Sequence, residues 1–203
     1  MLHAQAVEPR TLELLKELML KDYLKQFVLV GGTALALQIG HRKSIDLDMF
    51  TVKDFDSEKL VPKLLKEYNL VPLLQMPQTL ICEINGVKVD FIRFKYSFMR
   101  PIVKVGRIRM LSLEDIAPMK LDAITGRGNK KDFFDLYFLL QQFSLETIFG
   151  LYKEKYPHQT IFHVARSLVY FADAEENPDP IVFDKRVTWT KVKKTISKEI
   201  QKL

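Results

Sequence analysis

Residues 28–50 read VLVGGTALALQIGHRKSIDLDMF, and this stretch decides the fold. The apolar run Phe27–Val30 predicts a short buried strand, and Gly31-Gly32 predicts a turn. Residues 33–39 are rich in Ala and Leu and predict a short helix, closed by Gly40. Residues 44–52 alternate as a strand does: Ile45, Leu47 and Met49 face one way, and Asp46, Asp48 and Phe50 the other. Glycines let a backbone approach phosphate closely, and the first N–H groups of a helix have no internal acceptor. Thr33 adds a hydroxyl beside them. Two carboxylates on one strand face suit Mg²⁺. The combination points to a protein that handles a nucleoside triphosphate.

Working outward, residues 9–26 predict a helix with Pro9 in its first turn and Leu12, Leu15, Met19 and Leu20 along one face. Residues 57–68 predict another, with Ser57 as N-cap. Residues 79–84 and 87–94 predict strands joined at Asn85-Gly86, a strong hairpin signal. A further strand is expected over residues 103–110. From Ser112, a cap with Asp115 three residues on, the pattern is mostly helical to about residue 172, with breaks near 126–129 and 156–157. Residues 173–180 predict a loop. Residues 190–203 predict an amphipathic helix with Val192, Ile196, Ile200 and Leu203 on its apolar side. The fold class is α+β. A boundary near residue 111 separates a mixed core, residues 1–111, from a helical region, residues 112–203, expected to contribute to the active-site cleft.

The chain has 203 residues, 47% of them hydrophobic, enough for a substantial core. It holds no apolar run long enough for a membrane span and no secretory leader pattern, so a cytoplasmic location without membrane contact is expected. One cysteine, Cys82, rules out an internal disulfide and a cysteine-built zinc site. It sits in TLICEI and reads as core filler. The net charge of +6 favours phosphate-rich partners, and lysines gather after Asp184.

Asp90, in VKVDFIRF, is a third acid whose neighbours Val89 and Phe91 point to the opposite face. If its strand lies beside that of Asp46 and Asp48, three carboxylates converge. Such a set can hold two divalent ions about 4 Å apart for phosphoryl transfer. The competing reading is three solvated strand residues.

These residues resemble a known family. GGTALALQIGHRKSIDLDMF looks like the signature of the AbiEii/AbiGii-type nucleotidyltransferases of the DNA polymerase β-like superfamily. KLDAITGRGNKKDFFDLYFLL, residues 120–140, looks like that family's second block. The resemblance implies a polymerase-β-like core with a helical C-terminal part, and metal-dependent transfer of a nucleotide with release of pyrophosphate. It implies Gly31 and Gly32 as the phosphate turn, and Asp46, Asp48 and Asp90 as ligands of Mg²⁺ or Mn²⁺. Much of the superfamily has Gly-Ser where this chain has Gly-Gly-Thr, and Thr33 is expected to supply the hydroxyl. The family includes toxins of toxin–antitoxin and abortive-infection systems, some acting on tRNA ends. An RNA or tRNA acceptor and an antitoxin partner are therefore implied expectations. A catalytically silent nucleotide-binding or partner-binding module of the same fold is the alternative.

Lys120 and Arg127 are two helical turns apart, so both could face the cleft; the resemblance implies that Lys120 contacts the triphosphate, and Arg127 could make a bidentate phosphate contact. Arg42 and Ser44, just before the acid pair, are placed with them. By the resemblance, Lys131 and Asp132 line the site, with Asp132 as general base or orienting acid. Asp near a helix start is also an ordinary cap, and Asp135 fits a structural role equally well. His41 reads as a loop residue. Trp189, among Arg186, Lys191 and Lys193, reads as a packing anchor for the last helix.

Overall fold

The row Leu80, Phe91, Met49, Leu29 and Met110 shows how the first part of the chain is built. These residues stand in register on five adjacent strands, and none is exposed to solvent. The computed structural model describes residues 2–202. It divides into two compact units, the first running to Gly40 and from Ser44 to Leu111, the second made of His41–Lys43 and the chain from Ser112 onward.

In the first unit, β1 (Val28–Val30) leads into α2 (Gly31–Ile39), preceded by α1 (Pro9–Leu20). Then come β2 (Leu47–Thr51), α3 (Ser57–Leu65), β3 (Leu70–Met76), β4 (Thr79–Ile84), β5 (Val87–Arg93), β6 (Val103–Val105) and β7 (Ile108–Met110). The sheet is mixed, in the order β3-β4-β5-β2-β1-β7-β6. β2 is antiparallel to β1 and parallel to β5. α2 packs on β1 and β2. Its Ala34, Leu35, Ala36 and Leu37 are all fully buried, which explains a composition that is apolar all round. Gly40 ends it with φ +64°, as a left-handed cap requires. The β4–β5 hairpin turns on Asn85 (φ +52°) and Gly86 (φ +78°), the paired positive φ of a tight primed turn.

Several local expectations are corrected. The first helix stops at Leu20, which is half exposed, and its buried face is Thr11, Leu14, Leu15, Leu18 and Met19. A separate 3-10 turn occupies Asp22–Leu24. The helix α2 begins at Gly31 itself, so the glycine pair is its first turn. β2 starts at Leu47, and Ile45 is 61% exposed rather than sharing the buried face. Asp56, not Ser57, caps α3 by accepting from the Glu58 and Lys59 amides. Ser57 is buried and donates to the Met76 carbonyl. Residues 103–110 form a hairpin, because Gly106 takes φ +59° between β6 and β7. β3 was not expected at all. It is an edge strand with Pro72 and a bulge, and its side chains after Leu70 are exposed, so it has no alternating pattern.

In the second unit, α4 (Leu113–Arg127) is the central helix, with α5 (Lys130–Leu139), α6 (Leu145–Lys155) and α7 (Ile161–Leu168) packed on it. A single turn, α8 (Ala172–Glu175), falls partly in the expected loop. The last helix, α9 (Trp189–Ile200), packs on α5 and α7. Leu203, expected on its apolar side, lies outside the described residues. Ser112 caps α4, and Asn129 caps α5 after Gly128 ends the preceding helix at φ +53°. An ion pair between Lys155 and Asp115 at 2.7 Å ties α6 to α4 with both side chains fully buried. The short piece His41–Lys43 joins this unit through bridging of Arg42 with Val182. Among the described residues, no helix is long and apolar enough to cross a membrane.

Candidate active site

The expected site residues fall into two groups, one in each unit. In the first unit, the sheet row next to the buried one reads Ile81, Asp90, Asp48 and Val30. Asp48 and Asp90 are therefore direct neighbours on parallel strands. Such strands lie about 4.8 Å apart, and like charges placed side by side are destabilising unless a cation lies between them. Asp46 lies two residues before Asp48.

Lys88 lies on the same face of β5, with its ammonium 3.0 Å from Asp90 Oδ2. Partial burial lowers the Lys88 pKa, but the hydrogen bond to Asp90 and the charges of Asp90, Asp46 and Asp48 outweigh it and raise it overall. One ammonium thus feels all three expected carboxylates. Burial, aided by the Asp90 charge, pushes the Cys82 thiol up to about 12, which makes it inert filler as expected.

Gly31 explains how Asp48 is placed. It has φ +66°, and a Cβ added there would collide with Asp48 Oδ2. Only glycine gives both the left-handed backbone and room for the carboxylate at the start of α2. Val30, the N-cap, offers no side-chain hydrogen bond to that helix start. Gly31 and Gly32 thus lead a helix whose first N–H groups lack internal acceptors, beside a carboxylate. Thr33 and Ser44, expected at phosphate, are turned inward instead. Both are buried, their hydroxyls 2.8 Å apart, and Thr33 also donates to the Asp46 carbonyl. They are struts that fix the approach to Asp46.

The fit of a divalent ion follows from the donor set. Three carboxylates supply the hard oxygens that Mg²⁺ and Mn²⁺ prefer. Among the described residues, Asp90 Oδ1 is buried without a hydrogen-bond partner, an acceptor fitted to a cation. Among the same residues, no group of three or more Asp, Glu, His or Cys side chains is arranged so that it could hold a metal ion, and Asp90 Oδ2 is held by Lys88. The donor chemistry of the carboxylates suits the ion, and Lys88 stands against one of them.

The second group is a buried charge network. Asp135, fully buried, accepts from Arg42 Nε at 2.6 Å and Nη2 at 2.9 Å, and from Lys120 Nζ at 2.6 Å. It is also 2.7 Å from His41 Nε2. Lys120 reaches Asp132 as well, at 2.8 Å. Arg127 holds both oxygens of Asp132, at 2.8 and 3.0 Å, while its side chain stays 56% exposed. Arg42 and Lys120, expected to meet phosphate, are thus buried against carboxylates, and Arg127 is engaged with Asp132. Lys131 is half exposed in the first turn of α5.

Desolvation raises the pKa of Asp135, but the Arg42 and Lys120 charges and the His41 and Arg42 hydrogen bonds hold it well below the usual range. Asp132 is held low by Lys120 and Arg127 despite its burial. Burial lowers the Lys120 pKa, yet the two aspartates raise it overall. His41 moves down, because desolvation exceeds its bond to Asp135. Asp135 as the hub and His41 as its partner were not legible in the sequence. The available hint was the Arg42–Asp135 charge complement, but nothing local joins positions 93 residues apart.

The His41 shift has a sign that can be checked. Below about pH 6.5 an unfolded histidine takes up a proton that the buried one refuses, so stability falls as pH drops towards the lowered folded value. Urea unfolding at pH 7.5 and 5.5 should show this loss in the wild type and a smaller one in His41→Gln. Equal losses would contradict the assignment.

The comparisons with known proteins bear on the same regions. A family model described as the nucleotidyl transferase AbiEii toxin of type IV toxin–antitoxin systems matches residues 13–201. The uncharacterized protein aq_aa25 of Aquifex aeolicus is 33% identical over 195 residues, which cover 93% of either chain. The structure of JHP933 from Helicobacter pylori aligns with TM-score 0.54 at 19% identity, over 97% of this chain and 94% of its own. MenT4, a nucleotidyltransferase toxin from Mycobacterium tuberculosis, aligns with TM-score 0.57 at 13% identity, over 95% of this chain and 83% of its own. At such identities these structures speak for the fold, which is nucleotidyltransferase-like.

Proposed function

The chain belongs to the AbiEii family of nucleotidyltransferase toxins of type IV toxin–antitoxin systems, and from that premise we propose that it transfers a nucleoside monophosphate from an NTP to an acceptor hydroxyl. The acceptor hydroxyl gives up its proton to solvent as its oxygen bonds to the α-phosphorus, the bond from the α-phosphorus to the α–β bridging oxygen breaks, and pyrophosphate leaves. The observation that carries this reading is the in-register pair Asp48–Asp90 beside the glycine start of α2.

Asp46, Asp48 and Asp90 would hold Mg²⁺ or Mn²⁺, which when bound supplies Lewis acidity to the acceptor hydroxyl and offsets charge on the leaving pyrophosphate. The N–H groups of Gly31 and Gly32 bind phosphate oxygens. Thr33 and Ser44 keep the Asp46 segment fixed against α2. In the second unit, Lys120 is held by Asp132 and Asp135, and Arg127 by Asp132.

The acceptor class we infer is RNA. Lys191, Lys194 and Lys198 are exposed along α9, a ridge suited to a phosphate backbone. Trp189 is not part of this reading. It stacks on Phe134 with ring centres 5.9 Å apart and donates to Glu175, as a packing anchor does. A genetically paired antitoxin belongs to the same proposal.

Incubation with each α-labelled NTP, Mg²⁺ and total tRNA should place label on RNA. Replacing Lys191, Lys194 and Lys198 by Gln should weaken RNA binding and flatten its salt dependence by up to about 2.7 log units per log salt, at 0.9 per lost contact. Label found solely on protein or a small molecule would contradict the RNA acceptor. No pyrophosphate release with any NTP would favour the silent module.

A further inference from the structure

We propose that Lys88 is the built-in counter-cation of the carboxylate row, and that it transfers to the nucleotide's phosphate tail when a divalent ion takes over Asp90. The inference rests on the nucleotidyltransferase reading and adds a residue that neither the family signature nor the sequence motifs single out. β5 places Lys88 two residues before Asp90, on the same face. Its ammonium sits 3.0 Å from Asp90 Oδ2, with the lysine side chain 45% exposed and the aspartate 13%. The other oxygen of that carboxylate is buried and lacks a hydrogen-bond partner among the described residues.

The choice of partner is informative. Glu83 stands directly opposite Lys88 on β4, where a cross-strand pair would form easily. The ammonium nevertheless lies on Asp90, where adjacent carboxylates concentrate negative charge. A divalent ion on the free Oδ1 of that carboxylate competes with the ammonium for the same negative charge and repels it. Binding the ion therefore displaces Lys88, whose long, half-exposed stem lets it swing to a nearby anion without moving the strand. The nucleotide's phosphates arrive with the ion and are the strongest anion available, and Glu83 is a resting place when they leave. Lys88 thus lets the acidic row fold without metal, weakens metal binding in the absence of nucleotide, and strengthens it in its presence.

The test uses the full chain and Lys88→Met, with Asp48→Asn as a control. Mn²⁺ binding without nucleotide is followed by electron paramagnetic resonance of the free ion. Lys88→Met should bind Mn²⁺ about fivefold or more tightly than wild type, because a competing unit charge within hydrogen-bond distance is gone. Binding of Mg²⁺-ATP, -GTP, -CTP and -UTP, read as thermal upshift, should be weaker in Lys88→Met for whichever nucleotide the wild type prefers. Lys88→Arg should fall between the two. Unchanged or weaker Mn²⁺ binding in Lys88→Met, with wild type binding Mn²⁺ and Asp48→Asn not, overturns the role of Lys88 alone. Tighter Mn²⁺ binding with undiminished nucleotide binding overturns the transfer to phosphate. Absence of Mn²⁺ binding in both wild type and Lys88→Met overturns this inference and the metal site together.

Discussion

Asp48→Asn is expected to reduce nucleotide transfer by roughly 10³-fold or more while leaving the protein folded. On the proposed mechanism, the loss follows from removing one charged ligand of the ion. About 4 kcal/mol of transition-state stabilisation is at stake, and each 1.36 kcal/mol is a factor of ten. Folding is spared because the wild-type carboxylate sits beside Asp90 on the next strand. Neutralising one of two adjacent like charges relieves repulsion. Asn keeps the shape that fits against Gly31. The melting temperature should therefore be unchanged or higher. Normal turnover by Asp48→Asn would remove the metal site from the account.

Asp135→Ala is expected to do the reverse and act on folding first. It leaves Arg42 and Lys120 buried, both about 4% exposed, without the carboxylate that Arg42 Nε and Nη2 reach and that Lys120 shares with Asp132. Removing one partner of a buried ion network costs about 3–5 kcal/mol, a large part of the 5–15 kcal/mol that typically holds a domain folded. For a chain of this size that is a fall of about 10 °C or more in the melting temperature. Arg127→Ala removes a half-exposed partner of Asp132 and should cost about 1 kcal/mol or less. If Asp135→Ala and Arg127→Ala melt alike, Asp135 is no hub. The pH dependence has a definite sign. Asp135 and Asp132 are held low, so their contribution is present above about pH 4, the unfolded carboxylate range, and is lost as pH falls below it. Lys120 is raised, so its contribution persists below its ordinary value of 10.5 and is lost as pH rises beyond it.

What the sequence made legible was local. Asn85-Gly86 announces a primed turn because few other dipeptides accept positive φ twice. Gly40 announces a helix end for the same reason. Leu47 and Met49 announce a buried strand face by alternation. The glycine–acid spacing announced Asp46 and Asp48, but the reason for Gly31 emerges from the fold, where the Asp48 carboxylate occupies the space of a side chain. The neighbourhood of Asp48 and Asp90 depends on parallel pairing of β2 with β5, which no local pattern encodes. β3 was invisible because an edge strand exposed on both faces has no hydrophobic period. Asp56 and Ser57 are both good caps, and the burial of Ser57 decided between them. The pairing of Arg42 and Lys120 with Asp135 was not legible for one reason. Charge type is written in the sequence, but whether a cation faces solvent, phosphate or a buried carboxylate is decided by packing between distant segments.

Crystals grown with Mn²⁺ and a non-hydrolysable NTP would locate the ion by its anomalous scattering. The expected peak is coordinated by Asp46, Asp48 and Asp90, with the phosphate tail at the Gly31-Gly32 end of α2 and Lys88 withdrawn from Asp90. A nucleotide bound elsewhere, or bound with no ion on these three carboxylates, would contradict it.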